Sequence, residues 1–108
     1  VQRAKKLKTG TAMDDTVDVG PLVRPEEVVR IRKDIAEAIS NGAELLCGNE
    51  VKGNAQQFLT PTVLANVPRE CSLMKNEVFG PVVCLNRYED EEELVKYLSS
   101  NPYVFESC

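Results

Sequence analysis

The five-residue segment from Glu77 to Pro81 combines a carboxylate, an aromatic ring and a rigid turn. Proline cannot continue a helix and restricts the residue before it, so Gly80 and Pro81 predict a sharp, defined turn. Such a turn would hold Glu77 and Phe79 in a fixed relation at the edge of a sheet, where α/β proteins bind ligands. The residues alone leave a second interpretation open, in which Glu77 is simply exposed and Phe79 packs in the core.

Four cysteines and the absence of histidine limit the other chemistry of this chain. Without histidine, neither a Ser-His-Asp nor a Cys-His mechanism can be assembled from this chain alone. The cysteines form no C-x-x-C pair, which disfavours a zinc site and predicts four reduced thiols that pack as small apolar residues. They are Cys47, Cys71, Cys84 and Cys108. A thiol-based regulatory module stays open as an alternative, although no feature of the sequence lowers a thiol pKa.

Two further segments have the superficial pattern of a ligand site. Residues 48–53 show the G-x-x-x-x-G spacing of a phosphate loop, but Asn54 and Ala55 stand where that motif requires Lys and then Ser or Thr. We therefore predict a plain surface turn at this point. Residues 90–93 are four consecutive acidic residues, which the dipole favours at the start of a helix. We expect no metal site there.

The 108 residues are 43% hydrophobic and 28% charged, which is the composition of a globular domain rather than a disordered chain. This length suits one small domain or a piece of a larger one. The formal net charge of −4 gives no electrostatic footprint for nucleic acid or an anionic membrane. No apolar run approaches the ~20 residues that span a bilayer, and no signal-peptide core is visible. Reduced thiols without a secretion signal predict a cytoplasmic protein.

Hydrophobic periodicity and capping residues predict four helices. The clearest begins at Pro25 and ends before Gly42, a glycine that predicts a left-handed cap. Its apolar stripe, at three- and four-residue spacing, consists of Val28, Ile31, Ile35, Ala38 and Ile39. Residues 1–8 and 71–78 predict two short helices. A last helix begins at an N-cap, Asp90, and its predicted apolar face consists of Leu94, Val95 and Leu98.

Three extended segments alternate with these helices. Residues 44–47 and 81–85 predict buried strands, and residues 58–67 predict an edge or irregular strand because Pro61 lacks an N–H. Residues 48–57 are polar and predict an exposed loop. Strands that alternate with helices are typical of an α/β fold, here with few, mostly parallel strands and flanking helices. Two or three short strands make a poor sheet by themselves.

Residues 76–82 closely resemble the E-[IV]-F-G-P signature of the NAD(P)-dependent aldehyde dehydrogenases. Four other stretches are similar to motifs of that family and follow the family's order. Residues 7–22 resemble K-x-G followed by D-x-G-P-L, and residues 42–48 resemble G-A-x-[LV]-L-x-G. Residues 58–64 resemble [FY]-x-x-P-T-[VI]-L, and residues 101–103 resemble T-P-Y. The resemblance therefore extends over nearly the whole chain.

The resemblance implies that residues 1–108 are a fragment of one α/β catalytic domain, without the family's cofactor domain and oligomerisation arm. In this family a thiolate attacks an aldehyde, the thiohemiacetal passes hydride to NAD or NADP, and a glutamate activates the water that releases the carboxylic acid. Glu77 matches the glutamate that accepts hydrogen bonds from the nicotinamide ribose hydroxyls, and a carboxylate suits that role because it is purely an acceptor. Phe79 matches the aromatic residue beside that ribose and the nicotinamide. Gly80 and Pro81 match the residues that shape the turn.

The family's catalytic residues have no match in this chain. The nucleophilic cysteine follows Gly-Gln in the family motif, and none of the four cysteines has that context. We therefore expect the nucleophile, the general-base glutamate and the glycine-rich cofactor loop upstream of Val1, and we assign no catalytic residue here. Two positions depart from the family pattern. Asn76 stands where Glu is usual, and Val104 replaces the Gly that follows Tyr103, so the end of the chain either differs in structure or forms an altered tail.

Two functions remain open at this point. In the first, the chain is part of a longer dehydrogenase, its partners are the rest of that protein and an aldehyde substrate, and the isolated piece is inactive. In the second, it is a catalytically dead structural or interaction module that kept the fold. Such a module would associate with itself or with a full-length partner through exposed apolar surface. Neither the aldehyde nor the choice of NAD or NADP is encoded in this stretch.

Overall fold

The computed structural model describes residues 1–11, 13, 15–21, 24–53 and 58–100. The helices in this described part are α1 (Gln2–Lys6), α2 (Pro25–Ser40), α3 (Ser72–Lys75) and α4 (Glu91–Ser100). Its strands are β1 (Glu44–Cys47), β2 (Val51–Lys52), β3 (Phe58–Leu59), β4 (Thr62–Ala65) and β5 (Val82–Leu85). None of the described helices is long and apolar enough to cross a membrane.

Helix α2 supplies one side of the hydrophobic core. Pro25 occupies its first turn as predicted, and Gly42 follows its end with φ of +106°. Four members of the predicted stripe are buried: Val28, Ile31, Ile35 and Ala38. The fifth, Ile39, is 40% exposed, because it lies at the margin of the stripe in the last turn. The stripe packs with side chains of the sheet and of α3, among them Leu64 and Leu73.

The main sheet has three strands in the order β1-β4-β5. Strand β4 pairs with β5 in parallel, with Thr62 opposite Val82 and Ala65 opposite Leu85. Helix α3 lies in the connection between these two strands, as a parallel pair requires. Strand β1 pairs with β4 in the antiparallel direction, and β2 and β3 form a separate antiparallel pair. The predicted α/β class is confirmed, with a mixed sheet whose parallel pairing, among the described strands, is confined to β4 and β5.

The predicted irregularity around Pro61 is confirmed, because the segment divides there into β3 and β4, but the alternative of an edge strand is wrong for β4, which occupies the centre of the sheet. Pro61 lies one residue before β4, so its missing N–H removes no bond from the ladder. The first N–H of the strand belongs to Thr62 and donates to Pro81 O at 2.8 Å. The predicted loop 48–57 also differs, because it contains β2, whose Val51 lies opposite Leu59. Residues 54–57 of that loop lie outside the described part.

Strand β5 is less buried than predicted. Val83 and Leu85 are 53% and 49% exposed, because β5 is an edge strand and no described element covers that face. The predicted apolar face of α4 shows the same feature: Val95 is 60% exposed, and no residue of α4 is fully buried. The N-cap of this helix is confirmed, because Asp90 Oδ1 accepts a hydrogen bond from the Glu92 N–H at 2.9 Å.

Candidate functional site

The candidate site begins where α3 ends. The predicted helix over residues 71–78 is shorter in the structure, because α3 stops at Lys75. The N–H of Asn76 still donates to Ser72 O at 2.9 Å and closes the last turn. Asn76 itself has φ of −102° and ψ of 152°, so the chain leaves the helix in an extended conformation. Residues 77–79 then carry no helix or strand assignment before β5 begins at Val82.

Burial alternates along this extended segment, so that one residue contacts the core and its two neighbours lie at the surface. Val78 packs against the hydrophobic core cluster. Its neighbours Glu77 and Phe79 are exposed, and Phe79 has 79% of its surface accessible. Residues two apart in an extended chain point to the same side. The interpretation of Phe79 as a core residue is therefore wrong, and the Glu77 carboxylate and the Phe79 ring are both exposed on this segment.

The turn at Gly80 and Pro81 fixes the other end of the segment to the sheet. The Val82 N–H donates to Gly80 O at 2.8 Å, which closes a tight turn around Pro81. Pro81 O accepts from the N–H of Thr62, a residue of the central strand that is only 1% exposed. Proline adds its own restriction on φ. Glu77 and Phe79 are thus carried on a short segment anchored to α3, to the core and to β4.

The exposed groups of this segment have the chemistry of a binding surface. A carboxylate accepts two hydroxyl hydrogen bonds, and an exposed aromatic ring offers a flat apolar face. None of the described residues forms a hydrogen bond or ion pair with the Glu77 side chain, so its acceptor oxygens are available. The described residues also contain no group of three or more Cys, Asp or Glu side chains that could hold a metal ion.

Two grooves lie elsewhere, at the carboxyl ends of β4 and β5. Their volumes are about 310 and 520 Å³, and neither is lined by Glu77 or Phe79. In the smaller groove the guanidinium of Arg69 lies 4.8 Å from the ring centroid of Tyr97 and 3.4 Å from a carboxylate oxygen of Glu93. The charge of Arg69 is therefore already compensated within the chain. Glu93, part of the acidic cluster 90–93, takes part in this contact.

The described cysteines have the properties of packing residues. Cys47 and Cys71 are buried, Cys84 is half-buried, and all three are free thiols. Burial raises the pKa of the Cys71 thiol, and the nearby carboxylates of Glu37 and Glu70 raise that pKa further. Burial also raises the pKa of Cys84. A raised pKa lowers the thiolate fraction at neutral pH, so neither Cys71 nor Cys84 is activated as a nucleophile. Cys108 lies outside the described residues.

The glycine-containing loop that begins at Gly48 uses its backbone donors internally. The N–H of Asn49 donates to Thr62 Oγ1 at 2.9 Å, and the N–H of Glu50 donates to Thr60 Oγ1 at 3.1 Å. A phosphate loop needs such N–H groups free for its ligand. The loop therefore joins β1 to β2 and binds to the start of β4, in agreement with the prediction of a structural turn.

One polar contact near the candidate site was not predicted from the sequence. Ser72 Oγ donates to Glu37 Oε2 at 2.7 Å and joins α3 to α2. The two residues are 35 positions apart, and a serine at the start of a short helix is an ordinary residue there. No spacing signal in the sequence pairs them.

The sequence profile of the aldehyde dehydrogenase family matches residues 1–108, which is the whole chain. The chain belongs to the aldehyde dehydrogenase family. The resemblance drawn from the five motifs is thereby confirmed. The motif at residues 101–103 and Leu22 of the D-x-G-P-L stretch lie outside the described residues, so their geometry does not enter the site.

Individual aldehyde dehydrogenases match nearly all of this chain but only part of their own length. The succinate-semialdehyde dehydrogenase [NADP(+)] of Escherichia coli is 34% identical over 94 residues, which are 87% of this chain and 20% of that enzyme. The crystal structure of succinate-semialdehyde dehydrogenase from Burkholderia pseudomallei has a TM-score of 0.85 at 33% identity, over 93% of this chain and 21% of that one. The aldehyde dehydrogenase of Mycobacterium tuberculosis, solved with NAD+, has a TM-score of 0.81 at 28% identity over the same shares. The chain thus spans about a fifth of the length of the relatives it matches.

Proposed function

We propose that this chain is part of a longer NAD(P)-dependent aldehyde dehydrogenase that oxidises an aldehyde to a carboxylic acid. In this proposal residues 1–108 are one stretch of the α/β catalytic domain. The cofactor domain, the oligomerisation arm and the nucleophilic cysteine lie in other parts of the protein. Membership of the family and coverage of about a fifth of each relative support this arrangement. Three free thiols are compatible with a reducing compartment, and we place the protein in the cytoplasm.

The contribution of this chain would be one side of the nicotinamide ribose site. Glu77 accepts hydrogen bonds from the two ribose hydroxyls, and Phe79 lies against the ribose and the nicotinamide. The observation that supports this role is the exposure of Glu77 and Phe79 on a segment whose middle residue, Val78, packs against the core. An unpaired carboxylate fits a diol, because it offers acceptors without needing a donor in return.

The residues present fit the cofactor in chemistry as well as in position. A nicotinamide cofactor, when bound, accepts the hydride that leaves the aldehyde carbon. The turn at Gly80 and Pro81 restrains the backbone that carries Phe79 and Glu77, which would help to orient the ribose. In this role the carboxylate exchanges no proton with the substrate. None of these residues forms a covalent bond, so within the longer protein this stretch would help to bind and orient the cofactor rather than catalyse.

The test compares the isolated 108-residue chain with the longer protein. We expect no heat of binding from the isolated chain in isothermal titration with NAD+ at sub-millimolar concentration, because one ribose contact cannot hold the whole cofactor. We expect the longer protein to bind NAD+ or NADP+ and to reduce it when an aldehyde is added, seen as nicotinamide absorbance. A longer protein that binds neither cofactor would contradict the proposal and favour the catalytically dead structural module.

A further inference from the structure

The hydrogen bond between Ser72 and Glu37 joins two helices that otherwise meet through apolar side chains. Ser72 Oγ donates to Glu37 Oε2 at 2.7 Å, the usual length of an O–H···O hydrogen bond. Both residues are half-buried. Among the described residues it is the one side-chain hydrogen bond between α2 and α3. Apolar contacts are not directional, so this bond fixes the position of α3 along α2 more closely than packing alone.

Helix α3 transmits that position to the candidate site. It has four residues and no side-chain cap, so little within the helix itself resists a shift. Ser72 O also accepts the N–H of Asn76, the residue directly before Glu77. A displacement of Ser72 therefore moves Asn76 and, through one peptide bond, Glu77. The other end of the segment is held independently, by Pro81 O on the N–H of Thr62.

We propose that Ser72 and Glu37 are positioning residues for the cofactor contact, and that their hydrogen bond holds Glu77 where it meets the ribose hydroxyls. This inference rests on the proposed function of Glu77. Neither residue touches the cofactor in this arrangement. They act through the end of α3 and through Asn76, the residue that leads into Glu77. Their removal lowers the affinity for the cofactor rather than the affinity for the aldehyde.

The first experiment measures cofactor binding by the longer dehydrogenase with Ser72→Ala. We expect the dissociation constant for NAD+ to rise about three- to tenfold, the equivalent of one hydrogen bond, while the KM for the aldehyde stays unchanged. Ser72→Thr keeps the hydroxyl and should restore binding. Ser99→Ala, an exposed serine on α4, is the matched control and should bind as the unmodified protein does.

A double-mutant cycle separates positioning from a purely structural role. If Ser72 acts through Glu77, Ser72→Ala will add nothing to the loss already caused by Glu77→Ala. If Ser72→Ala weakens NAD+ binding by the same factor with and without Glu77→Ala, the positioning role is overturned, whatever happens to the melting temperature. If Ser72→Ala does not fold, Glu37→Gln replaces it, because the amide keeps the size of the side chain but loses the charge that strengthens the bond. Unchanged NAD+ binding by Glu37→Gln and by every folded Ser72 variant would overturn the inference.

The failure of this inference is distinct from the failure of the proposed function. Normal NAD+ binding by Glu77→Ala would remove the ribose contact itself, and the positioning role with it. Weakened binding by Glu77→Ala together with normal binding by Ser72→Ala would leave the proposed function standing and overturn the positioning role alone.

Discussion

Glu77→Ala will weaken NAD+ binding to the proposed dehydrogenase by about ten- to a hundredfold and leave its fold intact. The carboxylate is exposed and no described residue bonds it, so its removal breaks no internal contact. A hydrogen bond to a charged acceptor contributes about 1.5 to 3 kcal/mol. Because this surface is open to water, we expect the two ribose hydroxyls together to contribute the value of one such bond. Isothermal titration of the longer protein with NAD+ measures the loss.

Two matched variants make the Glu77 result specific. Glu92→Ala removes an exposed carboxylate of the same kind from α4 and should bind NAD+ normally, which controls for the change in net charge. Glu77→Gln keeps one acceptor oxygen without the charge and should fall between Glu77→Ala and the unmodified protein. Equal NAD+ affinity of Glu77→Ala and Glu92→Ala would contradict the assignment of the ribose contact.

Gly48→Ala will destabilise the protein by about 2 to 5 kcal/mol, the sum of strain at a left-handed backbone position and of overpacking. Gly48 has φ of +87°, and a Cβ there would meet backbone atoms of β4 and of the residue before it. Thr62 Cα would lie at 2.6 Å and Thr62 Oγ1 at 2.7 Å, with Pro61 O closer still. Backbone atoms of a central strand cannot move aside cheaply. Urea denaturation followed by circular dichroism gives the change in the free energy of unfolding.

Gly42→Ala separates the two causes. Gly42 also has a positive φ, +106°, but a Cβ there would meet nothing within 4 Å. The substitution should therefore carry only the backbone strain, about 1 to 2 kcal/mol. The difference between the two variants in lost free energy of unfolding measures the cost of the close approach of the loop to β4. If both lose the same free energy of unfolding, the account of Gly48 as a contact glycine is wrong.

Local signals in the sequence were sufficient to predict α2 and the glycine that follows its end. Pro25 at the helix start, the three- and four-residue spacing of Ile31 and Ile35, and the glycine at position 42 act within a few residues of each other. The same holds for the bounds of β1 and for the cap of α4 by Asp90, although the predicted burial of β1 is wrong, since Leu45 is 39% exposed. Each of these features depends on residues that are neighbours along the chain, so the sequence alone contains the information needed to predict it.

Strand order and burial depended on contacts that the sequence does not display. Pro61 indicated an edge or irregular strand. The segment is interrupted there, yet the strand that follows is central, because a proline one residue outside a ladder removes no hydrogen bond. Val83 and Leu85 indicated a buried strand, since apolar residues predict burial without saying what covers them. Their exposure here is what we expect of a sheet that the rest of a longer domain completes.

The sequence predicted the residues of the candidate site but not the hydrogen bonds that hold their segment in place. Glu77 and Phe79 followed from a motif of five residues, and both are exposed in the structure. Their scaffold involves a hydrogen bond from Thr62 to Pro81 and another from Ser72 to Glu37. These pairs lie 19 and 35 residues apart, and only the folded chain brings them together.

The intact mass of the native protein tests most directly whether this chain is one stretch of a longer aldehyde dehydrogenase. The measurement is mass spectrometry of material from its own source, with peptides of this sequence used to find it. We expect a species on the order of five times the 12.0 kDa of this chain, since the chain spans about a fifth of its relatives. A native species of 12.0 kDa would contradict the account, because it would have no nucleophile, and its function would then be sought among its binding partners.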